Sequence, residues 1–270
     1  MCEKGKYDYD YLIDCSGNSF FIRKLLKLNL PSKLWIGKTR LLLLNKKPNF
    51  QNEAYYCLND DGTFEDFYPF ENYAANGVWR YTDSSDLNHK TPLKNSHFSD
   101  IIAESKVFLE KRVMVPANPV FPLHYKNIGF LGDSFGNATT IASEGIRPIL
   151  DTSKLLCQAI RKNNLSLYDS SWKKVYLNTY LKHLASKNLG KNRHKDRMRT
   201  ILSLKEHPDA FYNILDSNPN YKFPKEAVNK VPFDIKLKQL IHYNKYKLYY
   251  FFQQQYASIS YLLNFFNSKV

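Results

Sequence analysis

The stretch "FLGDSFGNATTIASEGIRPIL", Phe130 to Leu150, constrains this chain more than any other. An apolar run closes on Gly132-Asp133. A short loop then leads to Glu144-Gly145-Ile146-Arg147 at the head of a helical pattern. That order reads as a buried strand over Asn127–Leu131, a glycine corner and a helix start. Helix starts present amide N–H groups with partial positive charge, so the corner suits a negatively charged or electron-rich ligand. Gly132, Gly136 and Gly145 put no Cβ between backbone and ligand, and Asp133 is placed to accept hydrogen bonds from hydroxyls. The plainer reading is an ordinary strand–turn–helix junction.

Around the corner the chain alternates strand and helix signals. "YDYLIDCSGNSF" (Tyr9–Phe20) reads as a short strand, Tyr11 to Asp14, closing on a Ser-Gly turn, and "FIRKLLKLNL" after it has helical spacing. "LWIGKTRLLLLN" and "EAYYCLNDDGTFEDFYPFENYAANGVWRY" read as strands, with Asn59-Asp60-Asp61-Gly62 as a hairpin turn. Ser99–Lys111 reads as a capped helix. Pro116, Pro119 and Pro122 mark an extended loop ahead of the Gly-Asp strand. Beyond Glu144 the chain is helical, and Pro148 is tolerated because early helix N–H groups lack an internal acceptor.

Charge is unevenly divided. Residues 1–150 carry 18 Lys/Arg against 17 Asp/Glu, and residues 151–270 carry 21 against 8, so nearly all of the formal +14 lies in the second half. Such asymmetry points to an anionic partner. "KNLGKNRHKDRMRT" (Lys187–Thr200) holds six Lys/Arg, either a phosphate-facing patch or a solvated face; no aromatics interleave for stacking, which argues against nucleic acid. The last 35 residues read as one or two helices, with Leu248, Phe252, Ile259, Leu262 and Phe266 on one stripe that Gln255 interrupts. Gln, Ser and Asn residues between Leu248 and Ser268 argue against a membrane span. The first expectation is a helix packed on the domain, the alternative a helix lying in a membrane interface. Four dispersed cysteines and seven unclustered histidines argue against disulfide and metal frameworks and fit a reducing cytoplasmic setting.

The order Gly-Asp-Ser-Phe-Gly, about eight residues, then Glu-Gly-Ile-Arg and an amphipathic helix resembles the second FAD-binding motif of the geranylgeranyl reductase family. That family belongs with the flavoproteins built like p-hydroxybenzoate hydroxylase, among them lycopene cyclases and flavin-dependent halogenases. "YDYLIDCSGNSFFIRKLL" is similar to the family's strand ending in Asp-Ala-Ser/Thr-Gly with a Ser and an Arg after it. "FEDFYPFENYAANGVWRY" resembles its substrate-domain strands, and "RVMVP" sits where the family has the loop before the Gly-Asp strand. These landmarks cover residues 7–160.

The resemblance implies an α/β and α+β protein in three parts. Residues 1–30 with 112–165 form a partial Rossmann-like FAD-binding domain, 31–111 an antiparallel substrate sheet, and 166–270 a helical region. It implies that Asp133 contacts the FAD ribityl chain or pyrophosphate, and that the Gly145 and Ile146 amides face the flavin pyrimidine edge. Gly17, after Asp14, would approach the cofactor from the other side. Gly132, Gly136, Glu144 and Arg147 complete the motif. A preorganised donor of this kind is worth roughly 3–4 kcal/mol. The implied reaction is reduction of double bonds in a hydrophobic prenyl substrate, with NAD(P)H or ferredoxin reducing the flavin. Tyr68, Phe70 and Trp79, beside Tyr73, are either a packed sheet face or the wall of an apolar pocket.

Three departures stand out. Ser134 and Phe135 replace two small residues, and Phe135 is bulky where backbone should approach cofactor. "NATTIAS" lacks the usual proline and glycine. No Gly-x-Gly-x-x-Gly is present among the ten glycines, so the expectation is a dinucleotide-binding half carried by another chain, a truncated start, or a degenerate remnant. The alternatives are a monooxygenase, halogenase or cyclase on the same scaffold, or a non-catalytic subunit whose basic half meets an anionic membrane or a partner protein. The sequence names no proton donor.

Overall fold

In the computed structural model the apolar run before Gly132 is a strand, β8 (Ile128–Phe130), paired in parallel with β1 (Leu12–Asp14). The structure describes residues 8–31, 33–45, 53–59, 63–83, 97–138 and 145–187, isolated positions between 196 and 222, and 224–267, with side chains to Phe252. The chain divides into two compact units, residues 1–31 with 118–270, and residues 32–117.

In the first unit, Asp14 stands opposite Phe130, and β7 (His124–Tyr125) adds an antiparallel third strand to β8. The short helix α1 (Phe21–Leu25) follows β1, half the length that "FIRKLLKLNL" predicts. Helices α3 (Ile146–Arg161), α4 (Ser166–Trp172) and α5 (Asn178–Lys187) come after the corner, with a π-helical turn at Lys173–Leu177. Their apolar faces enclose Phe121, Phe130, Phe135, Leu156, Tyr168, Trp172 and Tyr250. Full burial of an aromatic or leucine side chain contributes roughly 1.5–3 kcal/mol, so this cluster is the main support of the strand ends. Trp172 is its centre, edge-on to both Phe121 and Phe135 at 5.8 Å.

After the short helix α6 (Lys225–Lys230), the expected C-terminal helices are one element, α7 (Phe233–Asn267). It packs through Ile235, Tyr243, Tyr246 and Tyr250, and Tyr243 Oη donates to Asn178 Oδ1 on α5 at 2.9 Å. At its start, Arg199 grips Asp234 with two bonds of 2.9 and 3.0 Å. Most of the basic stretch Lys187–Thr200 lies outside the described residues. Among the described residues no helix is long and apolar enough to cross a membrane.

The second unit is a five-stranded antiparallel sheet in the order β3-β4-β5-β2-β6. Its strands are β2 (Lys33–Leu43), β3 (Tyr55–Leu58), β4 (Thr63–Phe70), β5 (Tyr73–Asp83) and β6 (Lys106–Pro116). Alternation divides its residues between two faces. One buries Leu42, Phe67 and Ala74 against Phe98, whose ring stacks on Phe67 at 4.7 Å. The other is rich in aromatics. Asn59 N–H donates to Thr63 at 2.9 Å where the predicted hairpin closes; the turn residues 60–62 lie outside the described set.

The helix expected over Ser99–Lys111 is corrected. Helix α2 stops at Ala103 (Ser99–Ala103), and β6 then pairs along β2 from Lys106 to Pro116. A single short turn is marginal alone, whereas Val107, Phe108, Val113 and Val115 suit a strand and satisfy the backbone edge that β2 offers. "RVMVP" is therefore strand rather than loop, and the sequence boundary at 111 falls inside β6.

Candidate functional site

Three bonds tie the strand ends at the corner. Leu131 N–H donates to Asp14 C=O at 3.0 Å. Ser134 Oγ accepts from Leu131 N–H at 3.1 Å and donates to Asp14 C=O at 2.6 Å. The serine that departs from the family pattern is thus the knot between β1 and β8. Gly132-Asp133-Ser134-Phe135 form one 3-10 turn, and Gly132 and Gly136 take left-handed φ of 71° and 79°, the region that favours glycine. Phe135, expected to obstruct, is fully buried, its ring turned into the core against Trp172.

Gly136 has a packing role beside the one its motif implies. A Cβ there would stand 1.9 Å from the Asn118 carbonyl oxygen, so the missing side chain lets two backbone segments touch. Gly17, also left-handed at φ 68°, opens onto space, with nothing within 4 Å of a Cβ. Gly145 is the N-cap of α3, and a Cβ there would make only ordinary contacts at 3.9 Å. The first bond along α3 runs from Ile149 N–H to Gly145 C=O at 2.9 Å, and Pro148 contributes no N–H. The amides of residues 145–147 therefore head the helix. Ile146 is 74% exposed. Arg147 lies along α3, 3.8 Å from Asp151. Glu144 lies outside the described residues.

Two carboxylates here lack full partnership among the described residues. The half-buried Asp133 side chain has no hydrogen bond, and burial alone pushes its pKa up. Asp14 is buried; its Oδ1 accepts from Ser16 N–H at 2.9 Å, while Oδ2 has no partner. The 3-10 turn Gly17–Ser19 after Asp14 lies against the one that holds Asp133.

Arg23, noted in the sequence only as a landmark, holds this arrangement. Its guanidinium donates to the carbonyls of Ser134 (2.6 Å), Pro122 (2.8 Å), Val120 (3.0 Å) and Asn29 (3.3 Å) and lies 4.1 Å from the Phe130 ring centre. Burial pulls its pKa down to about 10 despite the charges of Asp14 and Asp169. An arginine within an apolar helix start was the available signal. His124 is bound to Asp169 at 3.0 Å, which ties β7 to α4.

In the sheet unit, Tyr68, Phe70, Tyr73 and Trp79 lie on one face, as the registers Tyr68↔Ala75, Phe70↔Tyr73 and Phe64↔Trp79 require. Tyr68 Oη meets Tyr56 Oη at 2.8 Å, and Phe70 and Tyr73 are exposed. The Trp79 indole lies flat over Gly37 and Gly77, where Cβ atoms would come within 2.3 and 2.4 Å of it. Its Nε1–H donates to Asp66 Oδ2 at 2.8 Å. Asp66 carries no motif in the sequence, being an acid in an aromatic strand; burial pushes its carboxyl up to about 6.

No protein-family model matches the sequence, and no curated protein matches it. Among solved structures, the chain is similar to a flavoprotein/dehydrogenase from Cytophaga hutchinsonii at 13% identity and TM-score 0.59, covering 86% of this chain and 61% of that one. It is similar to a geranylgeranyl bacteriochlorophyll reductase-like protein from Thermoplasma acidophilum at 12% identity and TM-score 0.59, covering 84% and 60%. The flavin-dependent brominase Bmp2 follows at 10% identity and TM-score 0.56, covering 91% and 65%. The chain spans less than two thirds of each. The chain shares the fold of these structures, mixed α/β with an antiparallel sheet and C-terminal helices, in agreement with the expected fold class.

Proposed function

We propose that this chain is the flavin-facing and substrate-facing part of an FAD-dependent oxidoreductase that reduces double bonds of a hydrophobic prenyl substrate. The observation that carries the reading is the pair of under-partnered carboxylates, Asp133 and Asp14 Oδ2, at neighbouring strand ends beside the open Gly17. A buried acceptor without a donor, as Asp14 Oδ2 is, costs stability unless a ligand supplies one, and a polyhydroxylated chain such as ribityl or ribose is a set of donors for it and for the half-buried Asp133. The residues fit that group: Asp133 and Asp14 accept from its hydroxyls. The head of α3 places positive partial charge where electron-rich flavin atoms are stabilised. When bound, FAD supplies hydride transfer, with NAD(P)H or ferredoxin as the source of electrons and a proton completing each saturated bond. Tyr68, Phe70 and Trp79 offer a prenyl chain an aromatic wall that excludes water. A second chain carrying a dinucleotide-binding segment belongs to the same reading.

Titration of the purified chain with FAD, followed by flavin fluorescence and the visible absorption bands, tests the proposal. Binding is expected. Asp133→Ala should weaken it about tenfold or more, the value of a hydrogen bond to a charged group, with an unchanged circular dichroism spectrum. Absence of binding, or equal affinity in the variant, overturns it.

A further inference from the structure

Helix α7 has two apolar faces, and only one of them is used by the fold. Ile235, Tyr243, Tyr246 and Tyr250 turn inward. On the opposite side Phe233, Leu237, Leu240, Ile241, Leu248, Phe251 and Phe252 are each between 47% and 79% exposed. At 3.6 residues per turn these seven fall within about 120° of azimuth, with Asn244 among them and Asp234, bound by Arg199, at one edge. Singly exposed apolar residues need no explanation, but a continuous stripe over five turns does.

Charge identifies what covers it. From Phe233 to Phe252 the helix carries four lysines and one acid, Asp234, which Arg199 already neutralises. Lys238 is held by Asp196 at 2.6 Å. Lys236 and Lys247 flank one edge of the stripe and Lys245 the other, and none of them is within ion-pair distance of an acid among the described residues. An apolar strip edged on both sides by lysine is the pattern of a helix lying in the plane of a negatively charged bilayer, apolar side down and ammonium groups at headgroup level. A second copy of the chain would bring lysines against lysines along the same edges. We infer that α7 docks this protein on an anionic lipid surface, without crossing it. The inference is independent of flavin binding. The stripe positions Ile259, Leu262 and Phe266 lie beyond the described side chains.

Flotation of the full chain with vesicles tests it, using phosphatidylcholine alone and phosphatidylcholine mixed with phosphatidylglycerol. Flotation is expected with the mixed vesicles only, falling as salt rises. Lys245→Gln with Lys247→Gln should lower partitioning about 25-fold, since each lysine near the surface is worth about fivefold. Leu248→Ser with Phe252→Ser should lower it more than about tenfold, with melting temperature and circular dichroism held, because both side chains face solvent. Equal binding to neutral vesicles, no binding to either, or retained binding in the serine variant overturns the inference. So does a dimer in sedimentation equilibrium that the serine variant dissolves, which would assign the stripe to a second copy.

Discussion

Replacing Arg23 by methionine tests whether the corner is held from behind by one guanidinium. The side chain is buried, and it supplies four hydrogen bonds to carbonyls from three separate segments. A hydrogen bond to a charged group is worth about 1.5–3 kcal/mol, so at the lower value the four contribute about 6 kcal/mol. Against this stands the cost of burying the charge. The fall in pKa from 12.5 to about 10 corresponds to about 3 kcal/mol at 1.36 kcal/mol per unit. The balance predicts that Arg23→Met destabilises by about 3 kcal/mol, near the range for breaking a buried charged network. Urea unfolding near neutral pH measures it directly. Arg23→Lys should not rescue, because three tetrahedral donors cannot replace a planar fork that reaches Ser134, Val120 and Pro122 together. A loss below about 1 kcal/mol in the methionine variant, or full stability with lysine, would refute this account.

The two left-handed glycines on either side of the site should separate cleanly. Gly136→Ala forces a Cβ to 1.9 Å from the Asn118 carbonyl and should cost about 3 kcal/mol or more, seen as lost soluble expression or a large drop in melting temperature. Gly17→Ala meets no atom and should cost only about 1 kcal/mol of left-handed strain, while its methyl obstructs FAD; a variant with unimpaired FAD affinity would remove Gly17 from the site. Asp66 makes stability depend on pH. Its carboxyl stands at about 6 in the fold against 3.8 unfolded, so its contribution is whole below about pH 4 and is lost as pH rises through about 6, amounting to about 3 kcal/mol. Asp66→Asn should flatten that decline in denaturation curves across the interval; superimposable profiles would reject it.

What the sequence discloses about this fold follows the range of the forces involved. The corner was legible because its glycines and Asp133 lie within a few residues of one another, and the β3–β4 hairpin because Asn59 to Gly62 is a local turn signal. The strand nature of 106–116 was not, since its partner is the edge of β2, some seventy residues earlier at Thr39↔Lys111. The local helix signals at Ser99 and Asp100 hold only as far as Ala103, where the edge of β2 takes over. Gly136 was legible as a glycine but not as to its purpose, because Asn118 is brought beneath it by the loop before β7. Arg23 and Asp66 show the same limit. Each is an ordinary charged residue in the sequence and acquires its role only when burial removes water and leaves backbone carbonyls, or an indole N–H, as its surroundings.

The corner divides its residues by direction, and that division bears on the Ser134-Phe135 departure from the resembled motif. Ser134, Phe135, Gly136 and Arg23 all act inward, closing strand ends, core and loop upon one another. Asp133, Asp14 Oδ2, Gly17 and Gly145 take no part in that closure. The exchange of two small residues for Ser-Phe therefore falls wholly on the inward side, where it tightens the support and takes no space from a ligand. Leaving the buried Asp14 Oδ2 without a donor costs about 1–3 kcal/mol, of which the charge of Arg23 offsets part, whereas the half-buried Asp133 carboxylate still reaches water. Four guanidinium bonds hold the corner, and Ser16 N–H is the donor that the described residues give to its acids; the proposed ligand would supply Asp14 Oδ2 and Asp133 with the others.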